Sequence, residues 1–167
     1  SSDLIEAAIN GMLTSLDPHS SYLSPKDALK MLDRLASGPA EHRYAIVRQV
    51  LERLRRDFPT DLCRAAVSLH ESRLAARAKF GEQAAVMFFD SEALQMASGA
   101  PLATHRASRF VKGEPVADVT CGVGGDSLAL ARRGPVAACD LDPARVWMTQ
   151  RNAEIAGVGG RIVVTRA

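Results

Sequence analysis

The sequence predicts an α/β fold, in which an all-helical N-terminal region precedes a βαβαβ unit with a parallel sheet. Up to about residue 113 the apolar residues recur at helical spacing, and no clear strand precedes Pro115. From Val116 onward, short apolar runs alternate with segments of helical pattern, which is typical of parallel strands joined by helices. A glycine-rich stretch after the first apolar run indicates a sharp turn from strand to helix.

Helical periodicity accounts for the chain before Pro115. The pattern predicts helices over 3–13, 26–36, 61–79, 92–98 and 102–110, and an apolar stripe formed by Ile46, Val47, Val50, Leu51 and Leu54 predicts one more. Asp61 offers a cap for the helix over 61–79, and Asp90 or Ser91 can cap the helix over 92–98. We expect three parts, with boundaries at 1–39, 40–113 and 114–167.

The C-terminal part carries the alternation of strands and helices. Strands are predicted over 116–120, 135–139 and 161–165, and helices over 127–133 and 143–156. Asp142 and Pro143 suit the N-cap and the first position of the second helix, because proline's missing N–H is not needed there.

Composition indicates a globular protein of the reducing cytoplasm. Hydrophobic residues make up 47% and charged residues 24% of the 167 residues. No apolar run approaches the ~20 residues that span a bilayer, and the N-terminus lacks a signal-peptide pattern, so no membrane partner is expected. The three cysteines are far apart and form no CxxC pair, so we expect neither a zinc site nor disulfides.

Charge is unevenly distributed although the net value is only +2. Between Arg43 and Lys79 there are nine Arg/Lys against four Asp/Glu. A basic helical region can attract a polyanion such as RNA. The alternative is that these side chains form the solvated faces of amphipathic helices.

The candidate site begins with the stretch Asp118-Val-Thr-Cys-Gly122-Val-Gly124-Gly125-Asp126, which lies between a predicted strand and a predicted helix. Glycines allow the chain to turn sharply and allow backbone to approach a ligand closely. Asp140 follows at the end of the next predicted strand, where doubly wound nucleotide-binding folds place a carboxylate that accepts hydrogen bonds from ribose hydroxyls. The loop has the pattern GxGG rather than GxGxxG, which favours another nucleoside cofactor over a dinucleotide.

The stretch ADVTCGVGGDSLALARRGPVAACDLDPARVWMTQRNAEIAGV, residues 117–158, resembles motifs I to II of class I S-adenosylmethionine (SAM)-dependent methyltransferases. The likeness extends over about 45–167 and is greatest to an RNA-directed branch, the trimethylguanosine synthases and THUMP-like methyltransferases. It implies a truncated Rossmann-like unit that binds SAM, RNA modification as the function, and RNA as a partner.

The resemblance also implies roles for individual residues. The acid Asp118 would face the methionine end of SAM, the turn at Gly122, Gly124 and Gly125 would pass beneath it, and Asp140 would hold the ribose. The neighbouring residues of the expected cofactor site are Cys121, Asp126 and Leu141. For Asp126 two roles stay open, at the start of the helix or beside the methionine group.

Other polar residues have less specific expectations. Cys121 and Cys139 are expected to pack beside strands rather than act as nucleophiles. His105, Arg106, Arg109 and Lys112 precede the first strand, and the resemblance places them near the substrate cleft, whereas a solvated helix face is the alternative. The catalytic residues stay unassigned.

The family's fourth strand usually ends in an Asp/Asn-Pro-Pro-aromatic motif, and this sequence contains no such motif. We therefore expect an incomplete unit that binds SAM weakly and whose first strand forms an exposed apolar edge available for self-association. A non-catalytic SAM-binding or assembly module is the alternative function.

Residues 3–27, DLIEAAINGMLTSLDPHSSYLSPKD, resemble a framework segment near the start of the carboxyl-terminal processing proteases. Their catalytic Ser and Lys come later in that family, so His19, Ser20 and Ser21 are expected to form a turn and not a catalytic pair. The chain begins with Ser1 rather than Met, so we expect that it has been processed or is a piece of something longer. Two unrelated and incomplete signatures indicate a fusion of fragments joined between Lys26 and Ala40, and a genuine two-part protein is the alternative. A protease fragment is the third hypothesis.

Overall fold

The computed structural model of the chain describes residues 52, 55 and 59–167. The helices predicted over 3–13 and 26–36, the five residues of the apolar stripe and the protease-like segment 3–27 lie outside the described residues. The chain divides into two units at the junction of His70 and Glu71. The domain boundaries expected near residues 39 and 113 stay predictions.

Three helices precede the sheet in the described chain: α1 (Thr60–Phe80), α2 (Ser91–Met96) and α3 (Ala100–Ser108), with a 3-10 turn at Gly81–Ala85. The predicted helices match these within two residues at each end. Asp90 caps α2, because its side chain accepts a hydrogen bond from the N–H of Ala93 at 2.7 Å. α3 begins two residues before its predicted start, after the extended Gly99, and its first turn contains a proline, which helix starts tolerate.

The rest of the chain forms a parallel sheet with intervening helices. The elements are β1 (Val116–Asp118), α4 (Gly125–Ala131), β2 (Val136–Asp140), α5 (Pro143–Ile155) and β3 (Ile162–Arg166), with a 3-10 turn at Gly159–Arg161 before β3. The strands lie in the order β1-β2-β3, and both pairs are parallel. The predicted α/β class, helices first and then βαβαβ, is confirmed.

Two predicted boundaries move because of the glycine-rich loop. β1 ends at Asp118 rather than at residue 120, since the chain turns and the N–H of Cys121 bonds to the carbonyl of Cys139 at 3.0 Å. α4 begins at Gly125 rather than at residue 127, because Gly124 is its N-cap in a left-handed conformation with φ 91°. The predicted cap at Asp142 is confirmed, since its side chain accepts from the N–H of Ala144 at 2.8 Å.

One buried cluster joins the sheet, its helices and the segment before β1. From the βα unit it includes Val123, Leu128, Val136, Ala153 and Ile162, and from the preceding helical segment Met87, Phe89, Leu94, Ala103 and Ala107. α2 and α3 therefore pack onto the βα unit through a common core, which places their polar residues near the carboxyl ends of β1 and β2.

Within the described residues, β1 pairs with β2 only and so forms an edge of the sheet. The side chain of Val119, which directly follows β1, is exposed. No helix in the described part of the chain is both long and apolar enough to cross a membrane.

Candidate functional site

The carboxyl ends of β1 and β2 bring two predicted site acids to the same edge of the sheet. Asp118 is the last residue of β1 and Asp140 the last residue of β2. The register pairs Asp118 with Ala138, so Asp140 lies two residues further along its strand. In open parallel sheets this edge is where ligands bind.

The loop between β1 and α4 depends on two glycines with positive φ. Gly122 has φ 58° and Gly124 has φ 91°, a region that other residues adopt only with strain. A Cβ on Gly124 would also come within 3.3 Å of Thr149 Cγ2. The predicted glycine turn is thus a steric requirement of this loop.

Gly125 has a different reason to lack a side chain. A Cβ there would lie 3.0 Å from the backbone oxygen of Ser98, a distance that real Cβ atoms rarely show. The first turn of α4 therefore packs directly against the segment between α2 and α3.

Asp118 is oriented by a buried serine of α4. The hydroxyl of Ser127, which is fully buried, donates to Asp118 Oδ2 at 2.5 Å, and the N–H of Thr120 lies 3.4 Å from Oδ1. The carboxylate is half-buried and lines the same cavity as the loop glycines. Ser127 was not predicted, because a serine inside a helix carries no signal of its partner.

Asp140 connects the two loops that follow β1 and β2. Its Oδ2 accepts a hydrogen bond from the N–H of Gly122 at 3.0 Å, and its Oδ1 accepts one from the N–H of Asp142 at 3.0 Å. A carboxylate offers about four acceptor positions, so two remain for a ligand.

Asp126 lies in the first turn of α4 but does not cap that helix, since the cap is Gly124. Its Oδ2 accepts from Ser98 Oγ at 2.9 Å and from Arg106 Nη1 at 2.9 Å. Asp126 thus lies at the start of the helix, which was one of the two roles left open, and its place beside the methionine group stays a prediction.

Two buried polar residues of α5, also missed by the sequence analysis, hold the glycine-rich loop. Thr149 Oγ1 donates to the carbonyl of Gly122 at 2.9 Å, and Asn152 Nδ2 donates to the carbonyl of Val123 at 2.9 Å. Both side chains are fully buried. Their spacing of three residues, on one helix face, is the only signal in the sequence that could have suggested a shared role.

These residues surround a cavity of about 560 Å³, within the size range of small-molecule sites. All eight predicted cofactor-site residues except Gly124 line it: Asp118, Cys121, Gly122, Gly125, Asp126, Asp140 and Leu141. Gly124 is buried beneath the loop. The opposite wall comes from α2, α3 and the segment between them and includes Met96, Ser98 and Arg106.

Cys121 is buried in the cavity wall, and burial raises the pKa of its thiol, although a hydrogen bond with Thr149 opposes the effect. The thiol therefore stays protonated near neutral pH, which fits a packing residue better than a nucleophile. Leu141 is 75% exposed and offers an apolar surface beside Asp140. In the described part of the chain, no group of three or more His, Cys, Asp or Glu residues could hold a metal ion.

Of the four polar residues expected near the substrate cleft, Arg106 lines this cavity. His105, Arg109 and Lys112 are exposed and do not line it. Arg106 differs from the other three because α3 packs on α4 with only one of its faces toward the loop, and Arg106 lies on that face.

The side chains that line the cavity suit a nucleoside with an amino-acid tail, which is the chemistry of SAM. Asp140 has acceptor capacity to spare, Asp118 and Asp126 are acidic, with Asp126 paired to Arg106, and Leu141 is apolar and exposed. The positive-φ glycines keep side chains out of the loop beneath them.

Comparison with known proteins identifies relatives of this region. A family model described as RNA cap guanine-N2 methyltransferase matches residues 113–167. Uncharacterized S-adenosylmethionine-dependent methyltransferases from two strains of Mycobacterium tuberculosis are each 41% identical over 71 residues, covering 42% of this chain and 20% of theirs. The chain thus spans about a fifth of the length of these curated relatives.

A solved structure supports the fold independently. The crystal structure of a candidate methyltransferase from Porphyromonas gingivalis superposes with a TM-score of 0.63 at 17% identity, over 98% of this chain and 34% of that one. At this identity the likeness shows the fold alone. The family match and the curated relatives, and not this structure, identify residues 113–167 as similar to class I SAM-dependent methyltransferases, and the matching family model is the one described as RNA cap guanine-N2 methyltransferase.

Proposed function

We propose that this chain supplies the SAM-binding part of a methyltransferase that acts on a nucleobase in RNA. The observation that carries the proposal is the convergence of Asp118, the loop at Gly122 and Asp140 on one cavity at the carboxyl edge of the sheet. A plain αβ turn would not need two acids and two positive-φ glycines around a cavity of this size.

Each residue has a role that its position supports. Asp140 would accept hydrogen bonds from the ribose hydroxyls, because its oxygens face the loop with acceptor capacity to spare. Asp118, held by Ser127, would face the methionine end. Leu141 would pack against one face of the adenine ring of SAM. When bound, SAM supplies a methyl group already activated on its sulfonium, so this part of the protein would act mainly by positioning.

The family match supports RNA as the substrate class. The matching family model is described by its action on cap guanine, which favours an exocyclic amine of a purine. Near the amino end of β1, Arg109 and Lys112 are exposed cations, which suit the attraction of a phosphate backbone.

Isothermal titration with SAM and with S-adenosylhomocysteine tests the cofactor part. We expect both to bind the parent chain, and Asp140→Asn to weaken binding about 10- to 100-fold, since it removes charge-assisted hydrogen bonds to the ribose. Asp140→Glu keeps the charge and tests the placement of the carboxylate. Glu114→Gln removes an exposed carboxylate outside the cavity and serves as the matched control.

Thermal unfolding of each variant without ligand separates loss of the site from loss of the fold. No heat with either ligand, or equal affinities for Asp140→Asn and the parent, contradicts the proposed cofactor site. Transfer of a labelled methyl group from SAM to guanine-containing RNA tests the substrate part, and labelling of RNA lacking guanine at the same rate would contradict it.

The second candidate function is a non-catalytic SAM-binding or assembly module. It is favoured by the edge that β1 forms among the described residues and by the exposed apolar side chain of Val119, which directly follows this strand. Light scattering after size exclusion distinguishes this candidate, which predicts a self-associated species. A monomer unaffected by SAM would contradict it. The protease hypothesis concerns residues outside the described chain and gains no support from this site.

A further inference from the structure

A pair of opposite charges lies at the wall of the cavity that α3 and α4 share. Arg106 Nη1 is 2.9 Å from Asp126 Oδ2, and the hydroxyl of Ser98 bonds to both side chains, to Arg106 at 2.5 Å and to Asp126 at 2.9 Å. All three residues line the cavity. The arginine comes from the helical segment before β1, not from the loop that the methyltransferase motifs identify.

Arg106 retains hydrogen-bonding capacity in this arrangement. Only Nη1 of its guanidinium bonds to described residues, whereas a guanidinium carries five N–H donors. Its side chain is 52% exposed, so the remaining donors are accessible from the cavity. Asp126 retains capacity too, since its side chain is 32% exposed and its Oδ1, although enclosed, has no hydrogen-bond partner among the described residues.

Arg106 is also the better placed of the two cations in the cavity wall. The other, Arg145, lies 3.4 Å from a carboxylate oxygen of Asp90 and 2.7 Å from one of Glu92. Desolvation lowers the pKa of Arg145, but the carboxylates of Asp90, Glu92 and Asp140 together raise it on balance. Arg145 is thus paired with at least two carboxylates of the protein, whereas Arg106 is paired with Asp126 alone among the described residues.

The methionine part of SAM is a zwitterion, with a carboxylate and an ammonium on the same carbon. An adjacent arginine and aspartate complement such a group, because a guanidinium binds carboxylate oxygens in pairs and a carboxylate accepts from an ammonium. We propose, on the basis of the proposed function, that Arg106 recognises the carboxylate of SAM and that Asp126 receives its ammonium, while Ser98 holds the two side chains together. The segment around α3 would then form part of the cofactor site.

Gly125 supports this assignment through its contact with Ser98. Because there is no side chain at Gly125, the backbone of Ser98 lies directly on the first turn of α4, which sets the distance between Ser98 and Asp126. Two segments that are separated in the chain by α3, β1 and their loops are thereby held in a fixed geometry at one end of the cavity.

The test compares two ligands by isothermal titration. SAM carries the carboxylate, and decarboxylated SAM lacks it but keeps the ammonium and the sulfonium. We expect the parent chain to bind SAM more than 10-fold tighter than the decarboxylated ligand. Arg106→Gln should weaken SAM about 10- to 100-fold and leave the decarboxylated ligand within about threefold. Arg106→Lys should lie between, because it keeps the charge without the planar fork.

General electrostatics predicts the opposite sign, which sharpens the test. Both ligands carry a net positive charge, so the mere loss of a positive side chain should tighten their binding. Arg132→Gln removes an exposed arginine from the far end of α4, outside the cavity, and controls for that effect. Weaker SAM binding with Arg106→Gln but not with Arg132→Gln therefore supports direct contact.

Three outcomes overturn the assignment. Equal affinity of Arg106→Gln and the parent for SAM shows that the arginine does not contact the ligand. Equal weakening of both ligands shows that Arg106 acts by holding Asp126 rather than by binding the carboxylate. Failure of the parent chain to bind SAM or S-adenosylhomocysteine removes the proposed function itself, and so differs from failure of the arginine variants alone. The unfolding midpoint of each variant confirms that it is folded.

Discussion

The side-chain amide of Asn152 makes two hydrogen bonds with the backbone of Phe88, one as donor and one as acceptor. Its Nδ2 donates to the Phe88 carbonyl at 2.9 Å, and its Oδ1 accepts from the Phe88 N–H at 2.8 Å. The same Nδ2 donates to the carbonyl of Val123. One buried amide of α5 therefore joins the segment before α2 to the glycine-rich loop. Along the chain, Asn152 is 29 residues from Val123 and 64 residues from Phe88.

Replacing Asn152 with Ala should be among the most destabilising single changes in this unit. It would leave one N–H and two carbonyls buried without partners, each costing about 1–3 kcal/mol, so we expect a loss of about 3 kcal/mol in the free energy of unfolding after partial relaxation. Denaturant unfolding measures it. Gln150→Ala, on the same helix but less buried, should change stability by less than about 0.5 kcal/mol. A loss below about 1 kcal/mol for Asn152→Ala would show that water replaces the amide.

Gly124→Ala should cost more than Gly157→Ala, although both glycines have positive φ. At Gly157, φ is 71° and a Cβ would meet no atom within 4 Å, so the cost is the backbone strain of about 1–2 kcal/mol. At Gly124, Thr149 Cγ2 would lie 3.3 Å from the new Cβ, which adds crowding to the strain. The two variants are compared by thermal unfolding. Equal losses would mean that Thr149 moves aside without cost.

Ser127→Ala should weaken SAM binding more than it weakens the fold, if the proposed cofactor site is correct. The change removes the hydroxyl that orients Asp118, while the half-buried carboxylate can be hydrated instead, so we expect a stability loss of about 1 kcal/mol. We expect SAM affinity to fall several-fold by titration. Ser108→Ala removes an exposed hydroxyl outside the cavity and should alter neither quantity. Unchanged SAM affinity for Ser127→Ala would argue against a positioning role.

Cys121 should make the protein less stable at alkaline pH. Burial raises the pKa of this thiol in the folded state, so the folded chain keeps a proton that the unfolded chain releases above about pH 8.5. The contribution is fully present below that pH and is lost as the pH rises toward the folded value. Denaturant unfolding at neutral and alkaline pH, for the parent and for Cys121→Ala, measures it. The variant should lose less stability on the alkaline side, and an equal loss would contradict the prediction.

Local patterns predicted much of the fold and part of the site. The alternation after Pro115 predicted three strands and two helices, and the cap at Asp142 with Pro143 was confirmed as an N-terminus. The positions of Asp118 and Asp140 at neighbouring strand ends also follow from the chain, because the carboxyl ends of parallel strands meet at one edge. These features depend on a few consecutive residues and on the periodicity of strands and helices.

Other features were decided by tertiary packing. The extents of β1 and α4 changed because the loop bonds back to β2 and because Gly124 adopts a left-handed conformation. Asp126 lies in the first turn of its helix, but its hydrogen bonds with Ser98 and Arg106 join residues 28 and 20 positions apart in the chain. The partners of Thr149 and Asn152 likewise depend on which helix faces meet.

The sequence by itself therefore determined the order of strands and helices, the glycine turn and the two acids at the strand ends, since short-range sterics and hydrogen bonding control them. Tertiary structure alone decided that α3 contributes Arg106 to the cavity and that α5 holds the loop through buried amide and hydroxyl groups. The physical reason is that such contacts form only when distant helices pack on a common core, and the spacing of residues along the chain does not specify which polar groups then meet.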